Sequence, residues 1–172
     1  FRIILSSDRP EATPTLHSLF LDHTRAFITG ITGVVEPREA VLGVPQRFTY
    51  CITPTFRTGD LGFDRIRIAM PSQTDRDSLS VRLDGVEVEP LDVRITPDSL
   101  IVQLPRTVRR EEAEFDFRVS VTDNPYLFVA SVGRTQQSGL WQEVIAGDRF
   151  ASTVFLPEVP ASSRLIYDLS IR

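Results

Sequence analysis

The two histidines, His17 and His23, have the chemistry to bind a transition metal or to move protons. They are six residues apart in one predicted strand, so they share a face but lie ~20 Å apart at ~3.3 Å per residue. At that distance they cannot bind one metal, and no HExxH, HxH or Cys/His cluster supplies other ligands. The sequence also has no GxSxG motif for a nucleophilic serine. It therefore predicts neither an enzyme nor a resident cofactor.

Acidic pairs near turns are the next candidates, because Ca²⁺ prefers clustered carboxylate and carbonyl oxygens on loops. Asp60 and Asp64 lie on either side of a glycine, and one loop could bring both carboxylates onto one ion. Asp75 with Asp77, and Asp123, invite the same interpretation. No EF-hand spacing is present, and Asp with Gly is also ordinary turn chemistry. A structural calcium at Asp60 and Asp64 and a plain turn both remain open.

Trp141 and Tyr126 are candidate ligand-binding residues, because an aromatic ring exposed on a β-sandwich can serve as a platform for a sugar ring. Large aromatic side chains also dominate the cores of β-proteins, so Trp141 has a purely structural interpretation as well. The sequence predicts burial in the core for Trp141 and keeps carbohydrate binding as the alternative.

The composition excludes several kinds of chemistry. All 19 basic residues are arginine, so a P-loop lysine, a Schiff base and a Lys–Asn isopeptide bond are absent. A net charge of −4 provides no basic face for nucleic acid. The single cysteine, Cys51, leaves no intrachain disulfide, and its apolar neighbours predict that it is a small buried hydrophobe. No apolar run approaches the ~20 residues that cross a bilayer, so we expect no membrane insertion in this segment.

Strands must position these residues, because apolar and polar residues alternate along most of the chain. Residues 114–122 are apolar at odd positions, which predicts that Phe115, Phe117, Val119 and Val121 are buried while Asp116, Arg118 and Ser120 are exposed. The Asp84-Gly85 pair predicts a tight hairpin turn. Further strands are predicted at 2–7, 15–23, 26–35, 47–53, 63–70, 79–83, 86–89, 99–104, 126–132, 140–145, 150–156 and 165–171. The fold class is all-β, an antiparallel sandwich with Greek-key connections, with a β-barrel as the alternative.

The sequence predicts that the chain divides into two segments near residue 26. Residues 1–26 form an N-terminal hairpin segment, either an edge hairpin of the sandwich or the end of a preceding domain, and residues 27–172 form the sandwich. An apolar hairpin alone is marginally stable in water, which favours the first interpretation. A short stretch from Thr107 to Ala113 has helix propensity and predicts a single turn between two strands.

Residues ~30–135 resemble the immunoglobulin-like repeats of secreted and surface bacterial proteins. The resemblance lies in a strand ending at Tyr50, the segment from Gly59 to Pro71, the dipeptide Leu104-Pro105 and the strand from Phe115 to Val121. It implies an extracytoplasmic, non-catalytic structural or adhesion module that spaces or docks domains of the same or a neighbouring chain. A carbohydrate-binding accessory module is the alternative function, and carbohydrate the alternative partner.

Overall fold

A computed structural model of the chain describes residues 26–148 and 152–156. In those residues the chain forms thirteen strands and two short 3₁₀ turns, and no helix is long and apolar enough to cross a membrane. The strands are β1 (Gly30–Glu36), β2 (Gln46–Thr55), β3 (Phe63–Ala69), β4 (Ser80–Leu83), β5 (Val86–Glu87), β6 (Asp92–Ile95), β7 (Ser99–Val108), β8 (Ala113–Val119), β9 (Tyr126–Leu127), β10 (Ala130–Gly133), β11 (Trp141–Glu143), β12 (Ile145–Ala146) and β13 (Thr153–Val154).

The strands form two larger sheets and one small one. The first sheet has the order β12-β1-β2-β8-β4-β5 and the second has the order β11-β10-β3-β7-β6, while β13 pairs with β9. An immunoglobulin domain places strands A-B-E-D in one sheet and G-F-C in the other. Here β1, β2, β3, β4, β8, β10 and β11 follow one another along the chain in the positions of strands A to G. The predicted immunoglobulin-like sandwich is confirmed, and the barrel alternative is wrong because the described sheets do not close.

The segment between β4 and β8 departs from the simplest immunoglobulin arrangement. Strand β5 turns back on β4, and β6 and β7 then extend the second sheet beyond β3. The predicted turn at Asp84-Gly85 is confirmed, since both residues have positive φ (50° and 75°) and Leu83 pairs with Val86. Strand β6 was not predicted, because it has only four residues and follows closely after Pro90. Its alternation of polar and apolar residues is too short to detect.

The core lies between the two sheets and contains the inward residues of both. Phe128 is its aromatic centre, with ring centroids 4.9 to 6.5 Å from those of Tyr126, Phe48, Phe117 and Tyr50. Such tilted and edge-on pairs add to the hydrophobic stabilisation of burial. The apolar set predicted for β8 and the residues after it is buried: Phe115, Phe117, Val119 and Val121.

Three predictions of burial are wrong, those for Asp116, Ser120 and Cys51. Asp116 points outward as expected, but it is only 5% exposed because arginine side chains of the neighbouring strands cover it. Arg118 is exposed and Ser120 is half-buried. Cys51 is half-buried rather than packed in the core, because it alternates with the inward Tyr50 and Ile52 and so lies on the outer face of β2.

Other expectations from the sequence have mixed outcomes. The stretch from Thr107 to Ala113 is a connection without a helix, in which β7 ends at Val108 and β8 begins at Ala113. The segment predicted as one strand at 126–132 is divided into β9 and β10. His17, His23 and the strands predicted at 2–7, 15–23 and 165–171 lie outside the described residues. The proposed division at residue 26 stays a prediction.

Candidate functional site

The outer face of the second sheet carries Trp141 beside two arginines. In the strand register Trp141 pairs with Gly133, and Gly133 pairs with Arg65. In the next outward row Glu143 pairs with Ser131, and Ser131 pairs with Arg67. Strand alternation brings these residues to one face, because side chains two positions apart point the same way.

The interior side of β11 is fixed by Gln142, the residue between Trp141 and Glu143. Its Oε1 accepts hydrogen bonds from the backbone N–H groups of Phe27 (3.0 Å) and Ile28 (3.2 Å), and its Nε2 donates to the carbonyl of Ile28 (2.7 Å). With Gln142 bound inward, Trp141 is held on the outer face. The expectation that Trp141 packs in the core therefore does not hold, since the ring is half-buried on that face.

The indole ring of Trp141 contacts the guanidinium groups of Arg65 and Arg67. The Cζ atoms lie 4.9 and 4.7 Å from the ring centroid, which is the geometry of cation–π contacts. The ring also lies close over Gly133, where a Cβ would come within 3.1 Å of the indole Cε3 atom. Glycine at this position allows the ring to approach the sheet. We call Arg65, Trp141 and Arg67 the arginine–tryptophan stack.

Neither arginine of the stack has an acidic partner among the described residues. No ion pair within 4.0 Å and no side-chain hydrogen bond joins Arg65 or Arg67 to the rest of the described chain. An arginine has five N–H donors in a planar fork. The two guanidinium groups are held by the indole ring, yet their donors remain available to a ligand.

A groove of about 530 Å³ runs beside the stack, within the ~300–1,000 Å³ typical of small-molecule sites. Its lining includes Arg67, Ala69, Asp98, Ser99, Val129, Ala130, Ser131, Trp141 and Glu143. Ser131 is 8% exposed, and its hydroxyl makes no hydrogen bond to described residues. Asp98 accepts a hydrogen bond from the hydroxyl of Thr96 (2.7 Å). The groove thus combines a cation, two carboxylates and a serine hydroxyl.

Tyr126, the second candidate for ligand binding, lies in a different part of the molecule. Its ring packs edge-on against Phe128, and it is not part of the groove lining. Burial, with a smaller contribution from the carboxylate of Asp123, raises the pKa of Tyr126 to about 12. The structure therefore does not bring Tyr126 and Trp141 together in one site.

Asp60 and Asp64, the predicted calcium ligands, each hold a different loop. Asp60 Oδ2 accepts hydrogen bonds from the backbone N–H groups of Thr29 (2.9 Å) and Arg57 (2.8 Å). Asp64 Oδ1 accepts from the backbone N–H (2.7 Å) and the hydroxyl (3.2 Å) of Thr135. Among the described residues no group of three or more acidic, His or Cys side chains could hold a metal ion. Calcium binding at these positions stays a prediction.

The remaining acidic candidates have ordinary roles. Asp75 begins the 3₁₀ turn of Arg76–Ser78, where its Oδ1 accepts from the backbone N–H of Asp77 at 3.2 Å. Such side-chain capping is typical of aspartate at turns. Asp123 is exposed beyond the end of β8.

The outer face of the first sheet carries a second polar cluster, centred on Arg82. Its guanidinium donates to Glu114 Oε2 (2.8 and 2.5 Å) and to Asp116 Oδ2 (2.7 Å). Asp116 also accepts from the hydroxyl of Thr49 (2.6 Å) and lies 3.5 Å from Arg47. Burial alone would raise the pKa of Asp116, but Thr49 and Arg82 stabilise the carboxylate and lower it overall. We call these five residues the Arg82 network.

Cys51 lies beside the Arg82 network. It pairs with Val34 on one side and with Glu114 on the other. Burial, followed by the negative charges of Glu114, Glu112 and Glu36, raises the pKa of the Cys51 thiol to about 11. The thiol is therefore protonated at neutral pH and is a weak nucleophile.

Comparisons with known proteins show similarity of fold. No protein-family model and no curated protein sequence matches this chain. An immunoglobulin-like protein from Nocardia farcinica is 14% identical (TM-score 0.44) and aligns with 75% of this chain and 99% of its own. The major pilin subunit of Bacillus cereus is 12% identical (TM-score 0.45), over 73% of this chain and 39% of its own. A DUF4466 family protein from Parabacteroides merdae is 11% identical (TM-score 0.43), over 74% and 45%.

This chain therefore spans about two fifths of the length of that pilin subunit. These similarities concern the fold alone, and the strand order assigns the fold without them.

Sequence reasoning missed the two arginines that define the site. Arg65 and Arg67 are two residues apart in an alternating strand, which indicates that they share one face. Nothing in the sequence indicated that β10 would lie between their strand and β11, since that order depends on long-range pairing.

Proposed function

We propose that this chain is a non-catalytic structural module that spaces and docks the domains of a larger extracytoplasmic protein. The observation that carries the proposal is the parallel pairing of β1, the first described strand, and of the residues just after it with segments near the end of the described chain. The extracytoplasmic part of the proposal comes from the sequence resemblance. Surface labelling of cells that produce the full-length protein would test that part.

Two contacts make up this pairing. Thr32 and Gly33 of β1 pair with Ile145 and Ala146 of β12. Further along, the backbone N–H of Phe155 donates to the carbonyl of Arg38 (2.7 Å), and its carbonyl accepts from the N–H of Ala40 (3.0 Å). We call these two contacts the parallel clamp.

The parallel clamp fixes the relative direction of the first described strand and the last described residues. Two parallel strands run in the same direction, so the described chain enters near Gly30 at one pole and leaves beyond Phe155 at the other. Strand β1 alone covers about 20 Å at ~3.3 Å per residue. A module whose neighbouring domains attach at these two poles lengthens a chain of domains, which is what a spacer must do.

The same geometry supports a mechanical role. A force that pulls the two ends apart acts along the paired strands, so the hydrogen bonds of the clamp are loaded together in shear. Bonds loaded together resist a force better than bonds opened one after another. We therefore expect the clamp to set the force at which the module unfolds.

Single-molecule pulling on tandem copies of the module tests this proposal. Phe155→Pro removes one backbone donor from the clamp, because proline has no N–H. The matched control is Leu91→Pro, which removes the donor to the carbonyl of Gln103 (2.8 Å) at the opposite edge of the second sheet. We expect a lower unfolding force for Phe155→Pro and an unchanged force for Leu91→Pro. Equal forces in both variants would contradict the proposal.

Carbohydrate binding is a second candidate function, favoured by the groove beside Trp141. The groove has the size of a small-molecule site and contains polar groups that suit sugar hydroxyls. A glycan array on the wild-type protein and on Trp141→Ala tests it. Binding that disappears in the variant supports the candidate, and an array without binding removes it.

A further inference from the structure

We propose that the groove beside Trp141 binds a uronic-acid residue of a glycan, with the sugar carboxylate on Arg67 and the sugar hydroxyls on Ser131, Asp98 and Glu143. The proposal rests on the second candidate function, carbohydrate binding, and names its ligand class. A uronic acid carries one carboxylate and several hydroxyl groups on one ring. The groove presents a guanidinium group for the carboxylate and polar side chains for the hydroxyl groups.

Charge complementarity assigns the carboxylate to Arg67. Arg67 is exposed and lines the groove, and it makes no ion pair within 4.0 Å among the described residues. A guanidinium binds a carboxylate through two parallel N–H···O bonds, which are stronger than bonds between neutral groups. The contact with the indole ring restricts the side chain before a ligand arrives, so less conformational entropy is lost on binding.

The cation–π contacts also change the role of Trp141. Both guanidinium groups lie over the ring, at 4.9 and 4.7 Å from its centroid. A sugar that stacked on the ring would have to compete with these contacts. Trp141 thus acts as the support that positions Arg67, and the ligand is held by polar groups.

The hydroxyl groups of the sugar match the rest of the groove. Ser131 is 8% exposed, and its hydroxyl makes no hydrogen bond to another of the described residues. The oxygen can be reached from the groove, so it can donate to a ligand hydroxyl or accept from one. Asp98 and Glu143 provide acceptors for the hydroxyl donors of the ring.

The two carboxylates of the groove also narrow the ligand class. A densely charged anion such as an oligophosphate or a heavily sulfated glycan would be repelled by Asp98 and Glu143. A ligand with one negative charge on each ring and hydroxyls around it avoids most of that repulsion. This charge pattern is the reason to choose a uronic acid.

Intrinsic fluorescence gives a direct measurement, because Trp141 is the only tryptophan of the chain. The probes are a trimer of galacturonic acid and the matched trimer of galactose, which has a hydroxymethyl group in place of each carboxylate. We expect the acidic trimer to change the fluorescence and to bind about tenfold more tightly than the neutral one, which corresponds to ~1.4 kcal/mol. Its affinity should also fall as salt is added, since the charges are near the surface.

Two variants assign the interaction. Arg67→Gln should abolish the preference for the acidic trimer, whereas Arg94→Gln, on the same face but outside the groove lining, should keep it. Thermal melting of each variant confirms that it folds. If Arg67→Gln retains the preference, the role given to Arg67 is wrong.

The outcomes separate this inference from the functions it rests on. Equal binding of the two trimers, lost in Trp141→Ala, would overturn the uronic-acid class and leave carbohydrate binding supported. If neither trimer binds but other glycans on the array do, the uronic-acid class is wrong and carbohydrate binding remains supported. Absence of binding on the array as well would overturn both, and the pulling experiment would still decide the spacer function.

Discussion

Arginine side chains cross the outer face of each sheet, but their partners differ. On the first sheet Arg82 donates to Glu114 and Asp116, and Asp116 receives further contacts from Arg47 and Thr49. On the second sheet Arg65 and Arg67 stack on Trp141 and make no ion pair among the described residues.

The difference predicts that the first face stabilises the fold and that the second face is available to a ligand. In the Arg82 network each charge has a partner, so the network contributes to folding and offers little to a ligand. In the arginine–tryptophan stack the guanidinium donors have no partner among the described residues, so the groove beside it retains hydrogen-bonding capacity. A mutation in the first cluster should therefore affect stability, and one in the second should affect binding.

The largest effect is expected for Arg82→Met. This change keeps the volume of the side chain but leaves Asp116 with Arg47 and Thr49 only. Removing one partner of a buried charge is costly, and because Arg82 is partly exposed we expect a loss of about 2 kcal/mol in the free energy of unfolding. Urea denaturation measures it.

The control for that experiment is Arg118→Met on the same face. Arg118 is exposed, and among the described residues its side chain donates only to the carbonyl of Pro45 at 3.2 Å. We expect a change of at most about 0.5 kcal/mol. Equal losses in the two variants would mean that the Arg82 network has no special role.

Acid should weaken the first face. The pKa of Asp116 is lower in the folded state than in the unfolded chain, where it is ~3.9. The stabilisation is therefore complete above about pH 4 and is lost as the pH falls through the folded pKa. We expect the free energy of unfolding to fall less steeply between pH 5 and pH 2 in Asp116→Asn than in the wild type.

Part of the acid dependence should remain in that variant. Burial alone would raise the pKa of Glu111, but backbone N–H groups of Arg109 and Arg110 and the Arg106 guanidinium lower it to about 2. Its contribution is lost over the same pH range. An identical slope for Asp116→Asn and the wild type would exclude Asp116 as a source of acid sensitivity.

A smaller effect is expected when both arginines of the stack are replaced. Cation–π contacts at exposed sites contribute about 0.5–1 kcal/mol each. The double variant Arg65→Met with Arg67→Met should therefore unfold with a loss of about 1 kcal/mol and show altered Trp141 fluorescence. A loss of stability larger than that of Arg82→Met would mean that the second face, and not the first, contributes more to folding.

The sequence predicted the strands and their inward faces because both follow from local alternation. Phe115 and Phe117 are buried as predicted, and the turn at Asp84-Gly85 follows from local backbone preference. Alternation gives the direction of a side chain but not what covers it. Asp116 points outward and is nevertheless buried, because the arginines that cover it come from strands 34 and 69 residues earlier in the chain.

The candidate site depended on the same long-range information. Trp141 was identified as a candidate from its residue type, but its partners Arg65 and Arg67 lie more than 70 residues away. Only the order β3-β10-β11 brings them together. A glycine in the intervening strand, Gly133, is a signal that a ring passes close to the backbone, and it has that meaning only once the pairing is known.

Cys51 gives the smallest effect, a difference in reactivity without a difference in stability. Because its pKa is about 11, we expect slow reaction with a disulfide reagent at pH 7 and a rate that rises up to about pH 11. The unfolded chain in urea, with a thiol pKa of ~8.5, should react faster at pH 7. Glu36→Gln removes one of the charges that raise the pKa and should modestly increase the native rate. Equal rates for the folded and unfolded chains at pH 7 would show that the first face neither shields Cys51 nor holds it protonated.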